Sequence, residues 1–215
     1  METEKKLCIF GIGGFGREVL SCYQDSLGEE KKDIASKAIF MVSDAHYAER
    51  QIMGVQVIPL SLFEPMLYDV VVAISDPIAR KKIVENLPNE TTFGKIIHPS
   101  VYISKWVNVG EGSIIAAGCI VTVNVKIGKH AQLNLQTTVG HDSIIGDFFT
   151  SAPGAKINGN SLIGHSVYVG SNAALRQGIN ICSEAVIGMG AVVVKNIVEK
   201  GVYTGNPATK MERES

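Results

Sequence analysis

Residues 127–164 read IGKHAQLNLQTTVGHDSIIGDFFTSAPGAKINGNSLIG, and nearly every sixth residue of this segment is aliphatic. The same register extends outward in both directions, from Ile97 to Val193, and only Ser151 interrupts it. Four residues after many of these positions comes a small residue, as at Ser113, Cys119, Ala131, Thr137, Ser143, Ala155, Ser161, Ala173, Ala185 and Ala191. A period of six is neither a helix repeat nor a simple strand alternation. It is typical of a parallel β-helix built from hexapeptides.

In such a rod each hexad forms a short strand and a corner, and three hexads close one triangular coil. Branched aliphatic side chains suit the buried inner wall, and each contributes about 1.5–3 kcal/mol of stability on burial. Each coil also pairs its backbone with the next coil. An ordinary Val/Ile-rich sandwich does not require an unbroken six-residue register. We therefore predict a β-helix over residues 97–198.

Residues 1–96 have a different pattern, in which apolar runs alternate with helical segments. The predicted strands are 7–10, 38–42, 55–58, 68–75 and 92–97, and the predicted helices are 17–26 and 77–87. Strands that alternate with helices indicate a parallel α/β sheet, here a half-size Rossmann-like domain. Residues 199–215 are expected to form a turn-rich tail that leaves the rod.

The glycine-rich segment GIGGFG, residues 11–16, lies between the first strand and the first helix. Glycines let the backbone approach an anionic group, and the helix N-terminus offers free N–H groups. The domain is only half of a dinucleotide fold, and Asp44 follows Gly16 by more than the usual spacing of about 20 residues. We favour a nucleotide-linked sugar, while dinucleotide binding and a purely structural turn stay open. The crevice at the strand ends is predicted to contain Gly13, Gly14, Ser43, Asp44, Ser75 and Asp76.

Composition narrows the class of protein. The net charge is −1 and 19% of the residues are charged. The chain therefore lacks the excess of basic residues that would indicate a nucleic acid partner. The four cysteines are scattered and are expected to be free thiols. The N-terminus does not resemble a signal peptide, and no apolar run is long enough to insert in a membrane. The expected localisation is cytoplasmic.

His141 and Asp142 are adjacent at a predicted corner of the rod. Residues eighteen apart stack in one column, about 4.7–4.9 Å per coil. The column of His141 also contains Val123, Gly159, Gln177 and Lys195. The glycine opens space above the histidine, and Lys195 lies three coils on, roughly 14 Å away. This edge is predicted to hold an extended, phosphate-bearing ligand with its reactive end near His141.

The remaining corner histidines are weaker candidates. His98 lies at the domain junction, and His130 and His165 are expected to be solvated residues in other columns. A zinc site would need a close histidine pair, which these spacings do not offer. We therefore expect no metal.

Four motifs together resemble the sialic acid O-acetyltransferase / bacillosamine-type sugar N-acetyltransferase family of hexapeptide-repeat acyltransferases. They are FGIGGFGREV at residues 10–19, IHPS at 97–100, GHDSIIGDF at 140–148 and VYTGNPA at 202–208. The resemblance covers nearly the whole chain and implies a left-handed β-helix. It also implies a homotrimer with active sites between subunits, acetyl-CoA along the rod edge, and a nucleotide-linked amino sugar in the N-terminal domain.

The same resemblance implies roles for individual residues. His141 is the implied general base, Asp142 supports its basicity, and Asn134 matches an upstream family asparagine. The positions where relatives contact the coenzyme are Thr150, Gly159, Ser171 and Met189. Some relatives carry a second histidine where this chain has Thr150, and a threonine there could still donate a hydrogen bond to the thioester carbonyl.

The sequence thus favours an acetyl-CoA-dependent N-acetyltransferase of surface glycan biosynthesis. A neutral imidazole can accept the proton of an attacking sugar amine near neutral pH. Three alternatives stay open: sugar O-acetylation, for example of sialic acid; a non-catalytic trimeric nucleotide-binding protein; and a β-helical metal hydratase.

Overall fold

The computed structural model describes residues 5–28 and 33–212. It confirms the predicted fold class, an α/β domain followed by a left-handed parallel β-helix. The N-terminal domain contains helices α1 (Gly14–Ser26), α2 (Ile34–Lys37) and α3 (Pro77–Glu85) and strands β1 (Lys6–Phe10), β2 (Ala38–Val42), β3 (Gln51–Ile52), β4 (Val55–Pro59), β5 (Tyr68–Val72) and β6 (Thr92–Phe93). The strand order is β3-β4-β2-β1-β5-β6, and every pairing except β3 with β4 is parallel. Residues 7–10 of β1 and all of β2 form continuous buried apolar runs, as a sheet covered on both faces requires.

Two predicted strands differ from the observed ones. β5 ends at Val72 rather than Ser75. The backbone N–H of Ala73 still donates to the Phe10 carbonyl, but the Ile74 carbonyl accepts a hydrogen bond from the Arg80 side chain of α3 instead of from a neighbouring strand. Residues 92–97 form two short strands rather than one. β6 pairs with β5, whereas Ile96–Ile97 already pairs with the rod, so the chain changes sheets between them.

The β-helix consists of two-residue strands that form three parallel sheets. Face 1 contains β7 (Ile96–Ile97), β10 (Ile114–Ile115), β13 (Gln132–Leu133), β16 (Thr150–Ser151), β19 (Tyr168–Val169) and β22 (Val186–Ile187). Face 2 contains β8 (Tyr102–Ile103), β11 (Ile120–Val121), β14 (Thr138–Val139), β17 (Lys156–Ile157), β20 (Ala174–Leu175) and β23 (Val192–Val193). Face 3 contains β9 (Asn108–Val109), β12 (Lys126–Ile127), β15 (Ile144–Ile145), β18 (Leu162–Ile163) and β21 (Asn180–Ile181). Paired residues such as Ile115 and Leu133 are eighteen apart, which is the predicted coil length.

The corners share one backbone conformation. At every sixth residue from Gly112 to Gly190, φ lies between 54° and 74°. Asn, Asp and Gly tolerate this left-handed region best. Asp142 therefore lies at a position where the backbone alone favours its residue type.

The interruption of the hexapeptide register at Ser151 is compensated by its neighbour. Ser151 is fully buried where an aliphatic residue is expected, and Phe149 is fully buried where a small residue is expected. Both side chains point inward because they alternate with Thr150 along the strand. The large ring occupies volume next to the small serine, whose hydroxyl lies 2.9 Å from that of Thr137.

The expectation that residues 199–215 leave the rod is wrong for its first part. Strand β24 (Val202–Thr204) pairs in parallel with β22 and extends face 1, and β25 (Thr209–Lys210) returns antiparallel to it. This pairing provides hydrogen-bond partners for the backbone groups at the edge of the last coil on face 1. Residues 213–215 lie outside the described residues.

Candidate active site

His141 and Asp142 form a hydrogen-bonded pair at the corner between faces 2 and 3. His141 Nδ1 lies 2.8 Å from Asp142 Oδ2, and each side chain is about half exposed, at 50% and 47%. An ionised carboxylate only accepts hydrogen bonds, so Nδ1 carries the hydrogen and Nε2 is left as a proton acceptor. The bond to His141, and after it the bond from Asn124, lower the pKa of Asp142. The pair has the arrangement of a general base and its orienting acid.

Gly159 lies one coil above His141 and leaves the space that its ring occupies. A methyl group at Gly159 would lie 2.7 Å from Nε2 and 2.8 Å from Cε1 of His141. The backbone N–H of Asn160 donates to the His141 carbonyl at 2.7 Å. A side chain at 159 would therefore displace the imidazole.

Asn134 lies on the same coil as His141 but at a different corner, between faces 1 and 2. Its side-chain oxygen accepts a hydrogen bond from the backbone N–H of Leu135 at 2.7 Å, and its carbonyl accepts one from the Thr137 hydroxyl. Within one chain, Asn134 is therefore separated from the other two predicted catalytic residues, His141 and Asp142.

Four of the five predicted coenzyme residues are divided between the same two corners. Ser171 and Met189 lie at the Asn134 corner, where Met189 is 81% exposed. Gly159 and the exposed Lys195 lie at the His141 corner. A ligand that contacts the whole set has to reach both corners.

Thr150 faces the N-terminal domain from strand β16. Its hydroxyl donates to the Ser75 carbonyl at 2.9 Å and accepts a hydrogen bond from Arg80 at 2.9 Å. The residue is buried. A hydrogen bond from this hydroxyl to a thioester, as the sequence suggested, would require it to release Ser75.

Arg80 on α3 joins the two domains, a role that was not predicted from the sequence. Its fully buried guanidinium donates to the carbonyls of His130, Ile74 and Phe148 at 2.9, 2.6 and 2.8 Å, and also to Thr150. Burial lowers the pKa of Arg80 to about 9, while the negative charge of Asp76 opposes the shift. An arginine in a run of basic residues gives no sequence signal of this role, because its acceptors are backbone carbonyls distant along the chain.

A cavity of about 170 Å³ lies between the two domains beside this junction. It is lined in part by Phe15, Ser75, Asn134, Thr150 and Ser171. The structure thus brings together four predicted site residues, from the crevice, the catalytic set and the coenzyme set. His141 does not line this cavity.

The glycines of the GIGGFG segment fall into two groups. Gly11 has φ of 109°, and a methyl group at Gly16 would lie 2.1 Å from the Gly11 carbonyl oxygen, so the turn and the helix packing require both. Gly13 and Gly14 have open space where a side chain would be. Packing therefore does not explain the two glycines that were predicted to face the ligand.

The acidic residues near the strand ends already accept hydrogen bonds from other residues of the N-terminal domain. Asp44 accepts hydrogen bonds from the Ser61 hydroxyl and from the Ser61 backbone N–H, the latter at 3.2 Å. These bonds, chiefly the one from the hydroxyl, lower the pKa of Asp44. Ser43 Oγ lies 2.7 Å from His46 Nδ1. Asp76 caps α3 by accepting from the Ala79 N–H at 2.7 Å, which gives it a structural role.

His130 is not the solvated residue that was expected. It is 4% exposed and packs between the rings of Phe93 and Phe148, with centroids at 4.6 and 5.0 Å. Its position at the domain junction explains the difference, since α3 and β6 cover this corner. Burial, the largest cause, lowers its pKa to about 4.

Within residues 5–28 and 33–212, no group of three or more His, Cys, Asp or Glu residues could hold a metal ion. No helix in the same ranges has the length and apolar character to cross a membrane.

Comparison with known proteins gives two sequence findings. Residues 6–87 match the PglD N-terminal domain family. Over 155 residues the chain is 33% identical to the GDP-perosamine N-acetyltransferase of Escherichia coli O157:H7. The matched segment covers 70% of this chain and 69% of that protein.

Solved structures extend the likeness to almost the whole chain. WeeI from Acinetobacter baumannii AYE is 30% identical with a TM-score of 0.86, covering 97% of this chain and 100% of that one. The acetyltransferase domain of PglB from Neisseria gonorrhoeae FA1090, in complex with acetyl coenzyme A, is 26% identical with a TM-score of 0.85 and the same coverage.

Proposed function

The chain belongs to the hexapeptide-repeat sugar acetyltransferases that carry a PglD-type N-terminal domain, and we propose that it acetylates the amino group of a nucleotide-linked amino sugar with acetyl-CoA. The named activity of the Escherichia coli relative, on GDP-perosamine, supports an amino sugar as acceptor. The acetyl coenzyme A complex of the PglB domain supports the acetyl donor. Such a reaction belongs to surface glycan biosynthesis.

The observation that carries the proposal is the His141–Asp142 pair. Asp142 holds Nδ1 at 2.8 Å, so the free Nε2 is presented at the exposed corner of the rod. In this tautomer Nε2 has a free lone pair that can accept the proton of the attacking amine. We assign His141 as the general base and Asp142 as the residue that orients it.

The reaction needs no covalent enzyme intermediate. The amine nitrogen attacks the thioester carbonyl carbon, a C–N bond forms, and His141 Nε2 takes the proton from the nitrogen. The tetrahedral intermediate collapses as the C–S bond breaks, and the coenzyme thiolate leaves and takes up the proton held by His141. Binding the amine and the thioester side by side supplies much of the acceleration.

A homotrimer would complete this site. His141 and Asn134 occupy different corners of one coil, so a site that uses both can draw them from two subunits. Exposed aliphatic residues flank the His141 corner, with Ile120 on face 2 and Ile144 and Leu162 on face 3. Contact between rods would cover this apolar surface.

The crevice of the N-terminal domain is the proposed nucleotide site. Gly13 and Gly14 are exposed at the start of α1, where free N–H groups can bind a diphosphate. Ser43 and Asp44 lie at the end of β2. Ser75 lies between this crevice and the cavity that contains Asn134 and Thr150.

The test is release of coenzyme A with a panel of UDP-, GDP- and dTDP-linked amino sugars. We expect turnover with at least one of them, and His141→Asn should lose it while the fold is kept. His165→Asn is the matched control, since His165 is also an exposed corner histidine beside an aspartate, Asp147, at 3.5 Å. Acetylation of a sugar hydroxyl alone would favour the O-acetyltransferase. Nucleotide binding without acetyl-CoA binding in calorimetry would favour a non-catalytic protein.

A further inference from the structure

We propose that Asn124 is a positioning residue for the reaction, because it holds Asp142 in the orientation that aligns His141. This inference rests on the proposed function of His141. Asn124 lies one coil below Asp142, at the equivalent corner position, eighteen residues earlier in the chain.

The three side chains form a continuous hydrogen-bonded row. Asn124 Nδ2 donates to Asp142 Oδ1 at 3.1 Å, and the other carboxylate oxygen, Oδ2, lies 2.8 Å from His141 Nδ1. The backbone N–H of Asp142 also donates to the Val123 carbonyl at 3.0 Å. The carboxylate is thus held from below on one oxygen, while its second oxygen faces the imidazole.

The consequence for His141 is a defined tautomer and ring orientation. Asp142 is 47% exposed, so without a second partner its carboxylate can rotate toward water. Water can then hydrogen-bond to either ring nitrogen of His141, and Nε2 is no longer kept free to accept a proton. Asn124 acts through Asp142 and contacts no substrate in this scheme.

The positive φ at this corner explains why an asparagine is suited to position 124, but it does not explain why the side chain contacts Asp142. Asn160, one coil above Asp142, has the same φ of 56° as Asn124. In the described part of the chain, the Asn160 side chain makes no hydrogen bond, whereas the Asn124 amide reaches the Asp142 carboxylate. The two asparagines therefore share the backbone requirement and differ in the contact.

This difference provides a matched pair of variants. Asn124→Gly and Asn160→Gly each retain a residue suited to positive φ, and each removes one side-chain amide. Steady-state kinetics with the wild-type substrate pair and ¹⁵N NMR of the His141 side chain are measured for both. Thermal unfolding checks that both variants fold.

For Asn124→Gly we expect kcat to fall about tenfold with little change in KM, the effect of losing one hydrogen bond to a charged group. The ¹⁵N shifts should show loss of the single Nδ1–H tautomer, while Asn160→Gly behaves as wild type in both measurements. Equal kinetics and equal ¹⁵N shifts for the two glycine variants would overturn the role of Asn124 even if His141→Asn is inactive. If instead the wild type acetylates none of the amino sugars, the proposed function fails, and the NMR comparison still decides whether Asn124 sets the tautomer.

Discussion

Gly159 lies directly beside the imidazole of His141, in the next coil of the rod. A methyl group at Gly159 would come within 2.7 Å of Nε2 and 2.9 Å of Cδ2 of that ring. The proposed base therefore occupies space that exists only because the residue eighteen positions later has no side chain.

Gly159→Ala should displace the His141 ring without unfolding the rod. We expect kcat to fall by about 10- to 100-fold, because a shift of about 1 Å in a reacting group costs that much. The control is Gly94→Ala, where the added methyl meets its nearest atoms at 3.5 and 3.9 Å, an ordinary contact. Wild-type kinetics for Gly159→Ala would contradict the placement of the base.

Arg80→Met should destabilise the junction between the domains. The substitution removes all donors to the carbonyls of Ile74, His130 and Phe148 and leaves them buried, so we expect a loss of at least about 3 kcal/mol in the free energy of unfolding. Urea denaturation measures it. Lys81→Met is the control, because Lys81 is exposed and has only a surface pair with Glu85 at 3.8 Å. Similar midpoints for the two variants would show that Arg80 is not a structural link.

His130 should make stability depend on pH below neutrality. Its pKa is lowered from 6.5 to about 4, chiefly by burial, with Arg80 and Lys129 adding to the shift and Glu111 and Asp147 opposing it. Between these pH values the unfolded chain binds more protons at this residue, so its contribution is full above pH 6.5 and falls by about 3 kcal/mol on acidification to pH 4.

The measurement is the free energy of unfolding from pH 7 to pH 4 for the wild type and His130→Asn. Asparagine suits the positive φ of 54° at this corner and does not titrate. The variant should be less stable at pH 7 but show a flatter dependence. Parallel curves for the two proteins would rule out His130 as the origin.

Phe149 and Ser151 should be coupled through the volume that they share. Phe149→Ala removes a fully buried ring and should cost about 3–5 kcal/mol. Ser151→Val in the same chain should recover part of this loss, because the added methyl groups occupy space next to the cavity. Thermal unfolding of both single variants and the double variant forms a cycle. Strictly additive effects would mean that the two positions do not compensate each other.

Much of the candidate site was predictable from spacing. The eighteen-residue column correctly places Gly159 above His141, and the same rule, applied in the opposite direction, leads to Asn124 below Asp142. Adjacency in the chain was enough to pair His141 with Asp142. In contrast, the sequence left open a hydrogen bond from Thr150 to a thioester, and the structure shows its hydroxyl held between Ser75 and Arg80.

The hexapeptide period determines a three-sided rod, because a six-residue register of inward aliphatic side chains closes one coil every three hexads. It also determines which residues share a corner, but not the handedness of the rod. The docking of the N-terminal domain on face 1 is decided only by tertiary structure. That docking buries His130 and Arg80 and forms the cavity beside Ser75. Its contacts join side chains to backbone carbonyls fifty or more residues away, and a backbone carbonyl leaves no trace in the residue types of a sequence.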